Sequence, residues 1–186
     1  MGLRRSFKPT NLVANSNFAS GYETVWSFSG ATHVSLIDSV ETFIATAQYG
    51  RIKQANSFTV TENHKYYYAV EVKTDSALVK IELYAKTATA ATKSHSGSNS
   101  FERLSVIQTG SNGTTIQLNV IDLRTSGWTN ISLKKAMVLD LTAIGVSADI
   151  LALSDANLKA WCDLNIPVWF DGTLSGGRFG GIGGLR

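Results

Sequence analysis

The chain has 186 residues, room for one medium-sized core with appendages but not for two ordinary domains. With 44% apolar residues, 17% charged residues and 2 prolines, it is too apolar and too weakly charged to remain unfolded. The net charge of +3 sits at the ends, in Arg4, Arg5, Lys8, Arg178 and Arg186, which leaves twelve of the 17 cations against 14 acids in the body, so the body is not basic, only the tails could supply the clustered charge that nucleic-acid binding requires, and no nucleic-acid partner is expected.

Residues 1–10 read as an N-terminal arm, because their Arg, Ser, Lys, Pro and Thr follow no period of 2 or 3.6. The body is assigned to residues 11–173, with its core starting near Leu12. From there to about Leu141, short runs of Thr, Val, Ile, Tyr and Phe alternate with Gly, Ser, Asn and Asp clusters, the pattern of an all-β sandwich.

A long strand is predicted from about His64 to Thr74, with Tyr66, Tyr68, Val70 and Val72 on one side and Tyr67, Ala69, Glu71 and Lys73 on the other. In residues 78–85, Val79, Ile81, Leu83 and Ala85 oppose Lys80, Glu82 and Tyr84. Residues 87–100 hold no large apolar side chain and read as a long loop. The turn residues Gly110-Ser-Asn-Gly113 predict a hairpin joining the run 101–109 to the run 114–122, in which Ile116, Leu118 and Val120 share a face. A last strand puts Ile131, Leu133, Lys135, Met137 and Leu139 together.

Beyond Leu141 the period changes. Ser154 and Asp155 make an N-cap with an acid in the first turn, and Leu158, Trp161 and Cys162 recur at helical spacing, so one helix is predicted over about 154–165. Cys162 reads as a small buried apolar residue. Residues 174–186 form a C-terminal tail in which six of the last eleven residues are glycine, too many to hold a conformation unaided. Phe179, Ile182 and Leu185 recur through it every third residue. Two readings stand for each end: solubilising or unstructured chain, or segments that take their shape on a partner.

Catalytic and metal signatures are missing. No phosphate-binding loop or nucleophile elbow precedes the tail, and one cysteine with His33, His64 and His95 gives no zinc spacing and calls for no cofactor. Glu62, Glu71, Glu82 and Glu102 fall in or beside strands, where solvated strand-face charge is the simpler reading than a hydrolytic pair. No apolar run approaches the ~18 residues of a membrane-spanning helix, and the opening Met1-Gly-Leu-Arg-Arg5 lacks the layout of an export signal. Aromatics are the remaining candidates for ligand contact, since rings stack on sugar faces. Trp26, Tyr67, Tyr84 and Trp128 are the chosen platforms.

Two stretches carry a resemblance. Asn11-Leu-Val-Ala-Asn-Ser-Asn-Phe-Ala-Ser-Gly21, followed by Trp26, resembles the opening of carbohydrate-binding-module-like jelly rolls. Residues 131–143 with 158–173 are similar to the final strand, connector and helix of minor structural and tail proteins of tailed bacteriophages. The resemblance implies a jelly-roll β-sandwich of two antiparallel sheets with one short C-terminal helix and extended terminal arms. It implies a non-enzymatic virion protein of the tail, its fibres or the head decoration, partnered by other virion proteins and by itself as a homo-oligomer. In that setting Arg4, Arg5, Arg178 and Arg186 would meet acids on neighbouring subunits, and Phe7, Phe179, Ile182 and Leu185 would fill their pockets. The alternative is an adhesion module recognising a host cell-surface glycan. Ala19 and Ser20 stand where sugar-binding jelly rolls carry an acid for structural calcium, so the resemblance brings no metal site with it.

Overall fold

Alternating apolar and polar side chains give each strand one face to bury, and two antiparallel sheets satisfy them by packing face to face as a jelly-roll β-sandwich. The computed structural model describes residues 10–13, 16, 18, 22–54, 58–85, 89–111 and 115–166. Among them the strands are β1 (Trp26–Ser29), β2 (Ala31–Ile37), β3 (Val40–Ala45), β4 (Arg51–Gln54), β5 (Phe58–Thr59), β6 (Lys65–Lys73), β7 (Val79–Ala85), β8 (Ala91–Ser94), β9 (Phe101–Thr109), β10 (Thr115–Asp122) and β11 (Asn130–Asp140). Two helices follow, α1 (Ala148–Leu151) and α2 (Asp155–Asn165). One sheet runs β1-β4-β10-β7-β8, with β5 also pairing β10, and the other runs β2-β3-β11-β6-β9.

Trp26, Ile52, Ile81, Leu83, Leu118 and Val120 of the first sheet interlock with Phe43, Tyr68, Val70, Leu104, Ile131 and Leu133 of the second. Burying each such side chain contributes about 1.5–3 kcal/mol before chain entropy is counted. The chain crosses from one sheet to the other at Gly30, whose φ of +60 is cheap only for glycine. The Gly30 carbonyl accepts the amides of Thr46 and Ala47 at 2.9 and 3.2 Å, fixing the corner.

The run 101–109 does not form a hairpin with 114–122. β9 pairs with β6 in one sheet and β10 pairs with β4 and β7 in the other, so the two strands belong to different sheets. Local turn chemistry reverses the chain direction but does not choose the partner strand. The segment 87–100 is likewise not loop throughout, since β8 pairs with β7 along it. An edge strand needs backbone pairing, not large side chains, and Ala91-Thr-Lys-Ser94 supplies only that. The alternation in β11 also breaks. Its register with β6 shifts between Lys134 and Met137, and Lys135 takes a φ of 55. This bulge returns Ala136 and Val138 to the main core and turns Met137 and Leu139 to the opposite side.

That opposite side is covered by a second layer. Tyr67, Ala69, Ile107, Met137 and Leu139 meet Leu158, Cys162 and Ile166 from the C-terminal helical segment, with Trp161 packed at the margin. α2 begins where the capping pattern placed it, with the Ser154 side chain accepting the Asn157 amide. Burial pushes the Cys162 thiol up to about 12, so the residue is an apolar filler. α1 is a short additional turn in the connector that the sequence pattern did not announce.

Candidate functional site

Of the two outer sheet faces, one carries the helical layer and, among the described residues, the other carries no helix. The buried residues of the helical segment all belong to the cluster over the β2-β3-β11-β6-β9 sheet. Among the described residues no helix packs on the outer face of the β1-β4-β10-β7-β8 sheet, and strand register assigns its side chains to rows. Lys53, Asn119 and Glu82 stand side by side, as do Arg51, Ile121 and Lys80, and Gln117 pairs with Tyr84. Ser27 and Ser29 extend these rows on β1, and Thr92 and Ser94 on β8. With strands ~4.8 Å apart, Lys53 and Glu82 flank Asn119 across about 10 Å.

Tyr84 is 44% exposed on this face, while Asn119 is only 2% exposed. Asn119 Oδ1 and Arg51 Nε are buried without a hydrogen-bond partner. Leaving a buried donor or acceptor unmet costs about 1–3 kcal/mol. The Gln117 side-chain amide donates to the Gln54 carbonyl at 2.9 Å, which holds it at the edge of the Tyr84 ring's row. Among the described residues no ion pair involves Arg51, Lys53, Lys80 or Glu82, although acid and base are matched elsewhere, as in Glu71 with Lys134 and Lys135, and Asp163 with Lys159.

The four platforms expected from sequence do not come together. Trp26 is 1% exposed, its ring tilted against Phe18 at a centroid distance of 4.9 Å inside the sandwich, so it is a core residue and not a sugar platform. Tyr67 is also fully buried, because β6 is a central strand covered on one face by the opposing sheet and on the other by the helical segment. Tyr66 and Tyr68 are buried with it. The Tyr67 hydroxyl donates to Asp163 at 2.8 Å and accepts from Arg103 at 3.0 Å, and burial pushes its ionisation up. Trp128 lies in the connection between β10 and β11, its indole N–H donating to the Arg124 carbonyl at 3.2 Å. That connection is itself pinned by Arg124, whose guanidinium grips the buried Asp122 carboxylate. Tyr84 alone reaches the open face. Arg4, Arg5, Phe7, Arg178, Phe179, Ile182, Leu185 and Arg186 lie outside the described residues.

Lys53, Gln117 and Asn119 were missed in sequence because polar residues alternating with core positions look like any wet strand face. Only the sheet order β4-β10-β7 places them beside Glu82 and Tyr84. The four strand-borne or turn glutamates also separate: Glu82 is the one acid among the described strand residues of this face, while Glu71 faces Lys134 and Lys135, and Glu102 closes the 95–100 loop. Among the described residues no three His, Cys, Asp or Glu side chains group as metal ligands, and no helix is long and apolar enough to cross a membrane.

No protein-family model matches the chain, and no curated protein does. Solved structures do. A CBM4 structure aligns with a TM-score of 0.51 at 13% identity, over 68% of this chain and 98% of that one. The enzymatically active domain of bacteriophage CBA120 tailspike protein 4 aligns with a TM-score of 0.47 at 15% identity, over 70% of this chain and 21% of that one. A low-affinity xylan-binding module, CBM86, from Roseburia intestinalis aligns with a TM-score of 0.42 at 13% identity, over 62% of this chain and 89% of that one. At such identities the likeness is one of fold, and the fold is the jelly-roll sandwich on which carbohydrate-binding modules are built.

Proposed function

We propose that this chain is a non-enzymatic carbohydrate-binding module whose ligand lies on the outer face of the β1-β4-β10-β7-β8 sheet. The observation that carries the reading is the convergence there of an exposed ring, Tyr84, with the amides of Gln117 and Asn119 and with charged groups that make no ion pair among the described residues. A sugar presents an apolar face for the ring and hydroxyls that both donate and accept, and so matches this set of groups. Binding without turnover is the accompanying reading, since hydrolysis of a glycosidic bond uses a carboxylate pair and Glu82 stands alone on the described strands of this face. Titration of the full chain with polysaccharides and oligosaccharides of a glycan array tests it. Saturable binding that Tyr84→Ala weakens ~5- to 30-fold, with no release of reducing sugar, is expected. Silence across the array overturns the reading.

A second reading concerns where the module works. The described parts of the two stretches that resemble phage tail proteins, residues 131–143 and 158–166, fall in β11, the connector after it and α2 with Ile166, and Leu139 and Leu141 share one apolar cluster with Leu158 and Cys162. This supports a setting in a bacteriophage virion, with the module serving attachment and the residues 1–10 and 174–186 serving assembly with itself and other virion proteins. Deleting residues 174–186 is expected to leave the sandwich folded and abolish incorporation into particles. Normal incorporation would remove the assembly role.

A further inference from the structure

Three cations and one acid stand on the strands of the open face: Arg51, Lys53, Lys80 and Glu82. This local excess runs against the body of the chain, in which acids outnumber cations once the ends are set aside. Lys53 and Glu82 share a row and partly offset one another across Asn119. The neighbouring row is different. Reading from β1 to β8 it is Ser29, Arg51, Ile121, Lys80, Ser94, so two cationic residues stand on the outer side with backbones about 10 Å apart, a buried isoleucine between them and no acid in line.

Both cations are part-buried, neither makes an ion pair among the described residues, and Arg51 Nε is shielded from water with no acceptor. Two cations in one row without an acid make this part of the surface locally positive, a potential that attracts an anion. The guanidinium of Arg51 offers a planar fork that fits a carboxylate or phosphate with two parallel hydrogen bonds, and Lys80 offers a mobile point charge beside it.

We propose, building on the glycan-binding reading above, that the sugar polymer bound here is anionic, with Arg51 and Lys80 receiving its carboxylate or phosphate groups and the Tyr84–Gln117–Asn119 side of the face receiving the ring and hydroxyls of the adjoining sugar. The ring and amides select a saccharide; the Arg51–Lys80 row selects its charge.

The experiment is isothermal titration of the full chain with four probes: polygalacturonate, its fully methyl-esterified form, a glucosylated glycerol-phosphate teichoic acid and a single-stranded oligonucleotide of matched charge. At least one of the two acidic glycans is expected to bind, and to bind ~10-fold or more tightly than the esterified polymer. Which of the two acidic polymers is preferred tells carboxylate from phosphate. The affinity is expected to fall with added NaCl. It is also expected to drop about tenfold in Arg51→Gln and again in Lys80→Gln, with thermal midpoints unchanged, while Lys73→Gln on the other sheet leaves it as it was. Tight binding of the neutral polymer with silence from both acidic ones overturns the charge assignment and leaves the glycan site standing. Silence from every glycan, neutral sugars of the array included, overturns both. Equal affinity for the oligonucleotide means that charge alone is being read, and it too overturns the proposal.

Discussion

Tyr67 and Asp163 are joined by a 2.8 Å hydrogen bond that ties the central strand β6 to the helix α2 laid across it. Asp163 also accepts from Ser105 at 2.7 Å and from Lys159 at 2.7 Å, so one carboxylate fastens the helix to two strands. Burial opposes charge on Asp163, yet these hydrogen bonds outweigh it and hold the carboxyl below its ordinary value of 3.8.

The first prediction follows from that bond. A carboxyl whose folded pKa is depressed lends stability that is complete above its unfolded pKa and disappears as pH falls through the folded one. Asp163→Asn is therefore expected to flatten the acid limb of a stability–pH curve below about pH 4. Tyr67→Phe, which removes the hydroxyl but keeps the ring, is expected to cost ~1–1.5 kcal/mol in urea denaturation at neutral pH. An unchanged acid limb and unchanged midpoint would show the bond to be incidental.

Glu102 plays a related part at the other end of β9. Desolvation raises its pKa, but hydrogen bonds from the Ser96 and Ser98 hydroxyls and the Ser96 amide prevail and bring it to about 2 from an ordinary 4.5. Its partners belong to the segment 95–100, where His95 is buried and its Nδ1 accepts the Gly97 amide at 2.8 Å. The order of that segment is thus expected to persist well below pH 4.5 and to be lost only as pH nears 2. The Ser96 amide resonance followed by NMR should titrate near 2, and titration near 4.5 would contradict the bonding scheme.

Trp26 is assigned to the core, and the assignment can be tested by removal. Trp26→Ala is expected to cost ~3–5 kcal/mol in chemical denaturation, because a fully enclosed ring leaves a cavity that the two sheets cannot close. A loss under 1 kcal/mol would return Trp26 to the list of surface platforms.

The corner between β1 and β2 depends on a close backbone approach at Gly50. A Cβ there would stand 2.2 Å from the Gly30 carbonyl and 2.6 Å from the Ala45 side chain, so backbone would have to move. Gly50→Ala is expected to destabilise the fold by at least ~1–3 kcal/mol, measured as a shift of the denaturation midpoint. Tolerance of the alanine would mean that the corner is looser than described.

What could be read from the sequence was what depends on neighbours along the chain. Period-2 alternation located β6, β7, β10 and the start of β11, and Ser154 with Leu158 and Cys162 located α2, since caps and amphipathic spacing are local properties. Partner choice was not legible. Gly110-Ser-Asn-Gly113 looks the same whether the next strand returns beside β9 or crosses to the other sheet, and here it crosses. The bulge in β11 was equally silent, as nothing about Lys134-Lys135 announces a slip that reassigns Met137 to a second core.

The proposed binding face depended most on tertiary structure. Tyr84 was identifiable by its opposition to Ile81 and Leu83, but Tyr67 has the same local signature and is buried, because only the helical layer distinguishes the two faces. Lys53, Asn119 and Glu82 come from three strands spread over 67 positions, and their alignment exists only in the sheet.

The central claim is that this face, and not the helical side, receives sugar. The most direct measurement is amide and side-chain chemical-shift mapping of the full chain as acidic and neutral oligosaccharides are added. Saturable shifts concentrated at Arg51, Lys53, Glu82, Tyr84, Gln117 and Asn119 are expected. Shifts gathered instead around Trp161, Lys159 and the outer side of α2, or no shifts with any oligosaccharide, would contradict the claim.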